Sequence, residues 1–397
     1  MSRSKYVLLT GPIPSSIGLL SSLQTLFIAY NFFSGTSPSG IGILSSLNSI
    51  YIANSPFSGP LPSSICHLSS LQTLFSSIQL SHWTSSKLYR TFVFLTNPTD
   101  CVLFNSFSGS IPSSIGFLSP LSSIILNYNP ISGPIPSSVG YLSSLQDLSL
   151  DNTRVSSSIP SSIGLLSSLT YFSVQFTSIS GSLPPSLWNL TRLGSLKFYF
   201  NDITSSIPSA IGNLKRLQSL QFHNCRLTSS IPSAVGYLTL LTSIDMPENF
   251  FIGTIPTSIG LITLLQYVDL KSNFLTASIP PEIGTLSAIT YLNLSTNLLT
   301  DSISAGITGL TALEFLSLLS NSLHGSIPSS IGDLTSLVYL GLSYNKFTSS
   351  IPSSLGNLFA LTAILADYNL LTSSIPSSLC QLSASLTFLA LTTTTTV

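Results

Sequence analysis

The chain has 397 residues, of which only 6% are charged, 12 basic against 12 acidic, for a net charge of zero. Typical soluble chains carry about 25%, and so few Lys and Arg argue against a phosphate-binding surface and hence against nucleic acid. Apolar residues reach 44%, yet no run approaches the roughly 18 needed for a membrane helix, so the hydrophobicity reads as one periodic core.

At the N-terminus, Arg3 and Lys5 precede an apolar stretch of only four residues, 6–9, before GPIP. That is too short for a secretory leader. Residues 1–22 read as the back half of a repeat unit. From there a proline recurs every 24 residues, at Pro14, Pro38 and Pro62, then from Pro112 through Pro136, Pro160, Pro184, Pro208, Pro232, Pro256 and Pro280, and again at Pro328, Pro352 and Pro376. Ser304 holds the one missing place. A period held this strictly marks a solenoid of stacked coils. Units begin at Leu23, Leu47, Leu71, Leu121, Leu145, Leu169, Leu193, Leu217, Leu241, Leu265, Ile289, Leu313, Leu337 and Leu361, which makes 14 units over 23–385. The last unit slips by one residue, and 386–397 reads as a truncated strand with a Thr-rich tail.

Residues 337–360, LVYLGLSYNKFTSSIPSSLGNLFA, show the unit in its cleanest form. Leu or Ile falls at positions 1, 4, 6, 15, 19 and 22. Alternation at positions 4 and 6 predicts a short strand with one face buried. Strands repeating every 24 residues pair in parallel, and the rest of each unit supplies the crossover. Position 9 is Asn, Ser, Thr or Cys in all 14 units. A small polar side chain there is expected to satisfy backbone groups where the chain leaves the sheet. Pro at position 16 fixes φ and removes a donor, so the return segment is expected to be extended or 3₁₀. Gly at position 20 is expected to mark unusual dihedrals.

Pro62 and Pro112 lie 50 residues apart, two units plus two residues. Removing 76–101 joins LQTLF to VLFNSFSGSIPSSIG and restores the phase. This segment is either an island loop that takes part in binding through Trp83, Tyr89, Lys87 and Arg90, or a degenerate repeat or retained intron.

The pattern LxxLxLxxNxLxGxIPxxIGxL, as in LEFLSLLSNSLHGSIPSSIGDL at 313–334, closely resembles the plant-type leucine-rich repeat. That repeat occurs in receptor-like kinases, receptor-like proteins and polygalacturonase-inhibitor-like proteins. The resemblance covers about nine-tenths of the chain. It implies an α/β repeat fold: a curved, twisted solenoid with a parallel sheet on its concave face and 3₁₀ or irregular structure on the convex side. It also implies recognition of a protein, peptide or glycan, an extracellular or cell-surface setting with the cytoplasm still open, and a co-receptor, kinase or membrane segment in a longer product. Paired-cysteine caps of the family are absent, so the chain is expected to be part of a longer protein.

No catalytic constellation stands out. The histidines His67, His82, His223 and His324 fall in different units or in the insertion, the cysteines Cys66, Cys101, Cys225 and Cys380 show no paired spacing, and no phosphate-cradling loop, cofactor motif or metal-ligand spacing is present. A non-enzymatic role is expected. The solvent-facing strand positions 3, 5, 7 and 8 are the better candidates. Ten of the 24 charged residues fall within 192–271. Lys197, Asp245, Glu248, Asp269 and Lys271 take exposed strand positions there, with Tyr171, Tyr199, Gln221 and His223 among them. Aromatics beside charges are what interface hot spots are made of, and this face is expected to bind the ligand. In the first units Phe27, Tyr30, Tyr51, Phe75, Phe104 and Tyr128 form an apolar patch of the kind that marks a contact surface. Asn189-Leu-Thr and Asn293-Leu-Ser are glycosylation sequons, the second at strand position 5, where a glycan would obstruct the concave face. Two other functions compete: a structural or scaffolding repeat without a small ligand, and ice or surface binding by the Ser/Thr arrays.

Overall fold

The computed structural model describes residues 9–28, 31–52, 57–75, 106–372 and 374–392. The segment 76–101, Tyr30, Ser55, Phe104, Asn105 and the final threonines lie outside them. The coils form two compact units, Met1–Ser180 with Pro184–Leu190, and Gly181–Leu183 with Thr191–Val397. Among the described residues the first unit carries six parallel three-residue strands, from Thr25–Phe27 to Tyr171–Ser173. The second carries nine, from Ser195–Lys197 to Phe388–Ala390. Each strand spans positions 3–5 and pairs in register with the same positions of the next coil.

One coil shows why. From Leu241, the strand Ser243–Asp245 is followed by a second short strand, Phe250–Gly253, and the 3₁₀ helix Thr257–Leu261. Leu241, Ile244, Met246, Phe251, Ile255, Ile259 and Ile262 are all at most 2% exposed. These are the apolar positions of the repeat. A coil this thin can bury them only against its neighbours, so the stack is the core.

The turn out of the strand depends on position 9. Asn297 Nδ2 donates to the carbonyls of Leu294 (3.1 Å) and Ser295 (3.2 Å) in its own coil and of Leu270 (3.0 Å) in the preceding one. Its Oδ1 accepts from the Leu275 N–H at 3.0 Å. The variant residues still serve the position: the Thr153 hydroxyl donates to the Leu150 carbonyl at 2.7 Å, and the Cys225 thiol donates to the Phe198 carbonyl. The residue just before this position takes a left-handed backbone in eleven coils, with φ between 50° and 57°, although none is glycine. Its N–H donates to the next coil, as from Glu248 to the Lys271 carbonyl at 3.0 Å. Stacking thereby holds a conformation that an isolated residue would avoid.

The prolines at position 16 are extended and cap the 3₁₀ helices that follow. Where Ser304 replaces proline, its hydroxyl accepts from the Gly306 N–H at 3.2 Å. The expectation for glycine needs correction. The left-handed glycines are those of the GxIP step, such as Gly133 (φ 79°) and Gly253 (φ 75°). Position-20 glycines lie inside the 3₁₀ helices with ordinary dihedrals. At most of them a Cβ would clash with a neighbouring coil's backbone, as Gly332 would meet the Ser354 carbonyl oxygen at 2.4 Å. Close approach between coils selects that glycine.

Thr73–Phe75 pairs directly with Ser123–Ile125, 50 residues on, and the second short strand of that coil resumes at Ser106 beside Phe57–Pro60. The final strand, Phe388–Ala390, pairs with Ala363–Leu365 across the one-residue slip.

Candidate functional site

In the second unit the register sets Lys197, Gln221, Asp245, Asp269 and Asn293 in one row, each at position 5 of consecutive strands. Period-two alternation turns these side chains away from the core. Tyr199 and His223 stand two residues further along their strands, as does Lys271, with Glu248 beside them at position 8. The Tyr199 hydroxyl donates to Asp245 Oδ2, reaching across the intervening strand. His223 Nε2 lies 3.4 Å from Glu248 Oε1, and Lys271 Nζ lies 3.9 Å from the same oxygen. Asn224 Nδ2 donates to Glu248 Oε2 at 3.4 Å. The His223 ring packs on Phe200 at 4.9 Å and edge-on to Tyr199 at 5.6 Å. The eight site residues expected in this unit are therefore brought together. The ninth, Tyr171, belongs to the first unit, where burial, opposed by its bond to Ser173 and reinforced by Asp151 and Asp147, pushes its hydroxyl up to about 12.

Asp269 is only 4% exposed. Its Oδ1 accepts from the Lys271 N–H at 3.0 Å and its Oδ2 from Asn293 Nδ2 at 3.5 Å. Burial raises its carboxyl; the Lys271 bond and charge oppose this, and Asp245 adds to it. Burial and the bond to Asp245 raise the Tyr199 hydroxyl in the same way. The surface is thus a set of polar groups held on rigid strands, with donors and acceptors that already engage one another.

One part of this face is not apparent from charge density. Tyr267, Tyr291, Phe315 and Tyr339 occupy position 3 of four consecutive strands and stack into a ladder. The signal was an aromatic residue recurring every 24 residues at an exposed position. In the first unit Tyr51 stacks on Phe75 at 5.3 Å and meets Phe27 tilted at 5.5 Å, and Tyr128 is 37% exposed.

The sequons separate. Asn189 is exposed at the end of the 3₁₀ helix Pro185–Asn189. Asn293 is buried, its Nδ2 donating to Tyr291 Oη (3.3 Å) and to Asp269, and its Oδ1 accepting from the Ser295 N–H (3.2 Å) and hydroxyl (2.7 Å). Among the described residues no group of His, Cys, Asp and Glu is arranged to hold a metal ion, and no helix is long and apolar enough to cross a membrane.

The Leucine Rich Repeat family matches residues 216–238, 264–286 and 336–358, each running from a strand to the following 3₁₀ helix. The chain has the leucine-rich-repeat fold, and three of its coils match that family's model. Its solved structural neighbours include plant receptor-kinase ectodomains. The leucine-rich-repeat ectodomain of the receptor kinase GASSHO1/SCHENGEN3 from Arabidopsis thaliana, in complex with CASPARIAN STRIP INTEGRITY FACTOR 2, is 30% identical, with a TM-score of 0.64. That match covers 97% of this leucine-rich-repeat chain and 49% of the ectodomain, so the chain spans about half its length. The Arabidopsis receptor kinase HAESA, in complex with the peptide hormone IDA and the co-receptor SERK1, is 28% identical over 93% of this chain and 66% of that one, with a TM-score of 0.68. The plant peptide hormone receptor RGFR1 in complex with RGF2 is 29% identical over 96% and 68%, with a TM-score of 0.63. No curated protein matches the chain.

Proposed function

We propose that this leucine-rich-repeat protein is a non-catalytic recognition module that binds a peptide on the solvent-facing side of its strands. The observation that carries the reading is the row Lys197, Gln221, Asp245 and Asp269, with Tyr199, His223, Glu248 and Lys271 alongside. A pre-organised face of charges and aromatics binds at low ordering cost. The structural neighbours solved with peptide hormones support the same reading. They also support an extracellular setting and assembly with a co-receptor, with a kinase or membrane segment elsewhere in a longer product. Surface or ice binding is less well served, because the Ser186, Ser258, Ser354 and Ser378 hydroxyls donate to the preceding coil at 2.5–2.7 Å instead of facing outward.

Panning a random-peptide phage library on the immobilised chain tests the reading. A peptide pool enriched on the native chain is expected to be lost on the triple variant Lys197→Ala, Asp245→Ala and Lys271→Ala. Equal binding by the triple variant would move the site elsewhere and sink the proposal.

A further inference from the structure

The aromatic ladder has two unlike ends. Its rings are nearly parallel, 7–9° apart, with centroids 4.5, 4.4 and 4.4 Å from one to the next. Each inner ring is covered on both faces, so it shows solvent only its edge. One face stays open at each end. Beyond Tyr267 the strand in register offers only Ser243 at position 3, with Asp245 two residues on and Asp269 on the Tyr267 strand itself. Beyond Tyr339 come Ala363 and, at position 5, Gly341 and Leu365.

The acidic end holds two carboxylates that accept hydrogen bonds, Asp245 from the Tyr199 hydroxyl and Asp269 from the Lys271 N–H and Asn293, but enter no ion pair among the described residues. Asp245 and Asp269 sit in register on adjacent strands. Among the described residues neither has a cationic group within salt-bridge distance; the nearby Lys271 ammonium and His223 ring both approach Glu248 instead. Two carboxylates on neighbouring strands repel one another, and a bound cation relieves both. An open tyrosine face beside them adds a second attraction for the same cation. At the other end position 5 offers Gly341 and Leu365, which favour apolar contact, and the Asp367 carboxylate two residues on accepts from the Ser343 hydroxyl.

We propose that the ladder is a docking track for an extended peptide bearing an arginine or lysine. The cation lies on the open face of Tyr267, between Asp245 and Asp269. The residues that follow run over the edges of Tyr291, Phe315 and Tyr339 and end on Leu365. From Asp269 to Leu365 is four strand spacings of ~4.8 Å each, which an extended chain at ~3.3 Å per residue covers in about six residues. The track therefore reads a basic residue and, about six positions away, an apolar one. This inference rests on the peptide-recognition reading and adds to it the ligand's chemistry and polarity.

The test pans random-peptide phage on the native chain, on Asp245→Asn with Asp269→Asn, and on Phe315→Ser, with circular dichroism showing that each variant folds. The native pool is expected to enrich Arg or Lys with an aromatic or aliphatic residue about six positions away. The paired Asn variant is expected to bind the enriched peptides about tenfold more weakly and to lose the basic preference while keeping the apolar one. Phe315→Ser is expected to do the reverse. Should the paired variant not fold, Asp245→Asn alone carries the comparison. A native pool without basic residues, or a basic preference that survives loss of both carboxylates, overturns the track and leaves peptide recognition standing. A pool no richer than on an unrelated protein overturns both.

Discussion

Asn273 bonds the backbone of two coils at once. Its Nδ2 donates to the Leu270 (3.0 Å) and Lys271 (3.2 Å) carbonyls and to that of Met246 (3.1 Å) in the preceding coil, while its Oδ1 accepts from the Phe251 N–H (3.1 Å). Three of these bonds are buried and the one to Lys271 partly so, and Asn273→Ala leaves several polar groups without a partner. The expected loss is about 3 kcal/mol in urea unfolding; a loss under ~1 kcal/mol would mean that the neighbouring ladder residues take up the slack. Cys225 occupies the same position with a weaker donor, so Cys225→Asn is expected to stabilise by about 1 kcal/mol. Residue environment also separates the two sequons. When the chain is made in a secretory host, glycosidase treatment should remove mass from the Asn189 peptide alone, because the Asn293 amide is buried and engaged. A glycan found on Asn293 would contradict the packing of that strand face. Both sequons are equally visible in the sequence; burial, which decides between them, depends on Tyr291 on the same strand and on Asp269 one coil away. The charged part of the candidate site was legible because its residues share a row dictated by the period. The aromatic ladder was less so, since stacking between exposed rings leaves no mark on hydropathy.

Within the coil, two glycines do different work. Gly332 lies in the 3₁₀ helix Ser329–Asp333, where an added Cβ would fall 2.4 Å from the Ser354 carbonyl oxygen and 2.5 Å from the Ser354 Cβ. Neither backbone can yield without parting the coils. Gly325 is left-handed (φ 78°), and its Cβ would meet only the Ser302 Cβ at 3.3 Å. Non-glycine residues already stand in the equivalent place, Ser157 (φ 69°), Ala277 (φ 62°) and Ser349 (φ 68°) among them. Gly332→Ala is therefore expected to cost about 3 kcal/mol and Gly325→Ala about 1 kcal/mol, read from urea unfolding of the two variants side by side. The reverse order would show that dihedral freedom, not clearance, selects the position-20 glycine. The strand, the Asn turn and the 3₁₀ helix were all legible in the sequence, because each coil must bury the same positions and satisfy the same backbone groups. The clearance at Gly332 was not, since it is a distance to a residue 22 positions away that only the stacked structure defines.

At the scale of the whole molecule, the scarcity of charge sets how stability responds to solvent. The ion pairs His223–Glu248, Lys271–Glu248, Arg226–Asp202 and His324–Asp301 are all partly or largely exposed. Exposed pairs contribute ~0–1 kcal/mol each and are screened by salt, so added sodium chloride is expected to move the urea midpoint little. Asp151 and Asp269 are buried carboxyl groups, and buried thiol and tyrosine protons add pH sensitivity on the alkaline side. Burial, partly opposed by the backbone bond at Asn201, pushes the Cys225 thiol from 9.0 up to about 12. Burial likewise holds Tyr171 at about 12 instead of 10.0 and raises the Tyr199 and Tyr267 hydroxyls. Each of these groups keeps its proton longer in the folded chain than in the unfolded one. Its contribution to stability is therefore complete below the unfolded value and is lost as pH rises through the folded value. The urea midpoint is expected to stay level between about pH 6 and 8 and to fall from pH 9 toward 12 as the unfolded chain sheds these protons first. In Cys225→Ala the early part of that fall, which begins at the thiol's ordinary value, is expected to shrink, while the tyrosine part persists. A midpoint that drops between pH 6 and 8, or one that holds level to pH 12, would mean that stability is governed by groups other than these buried acids.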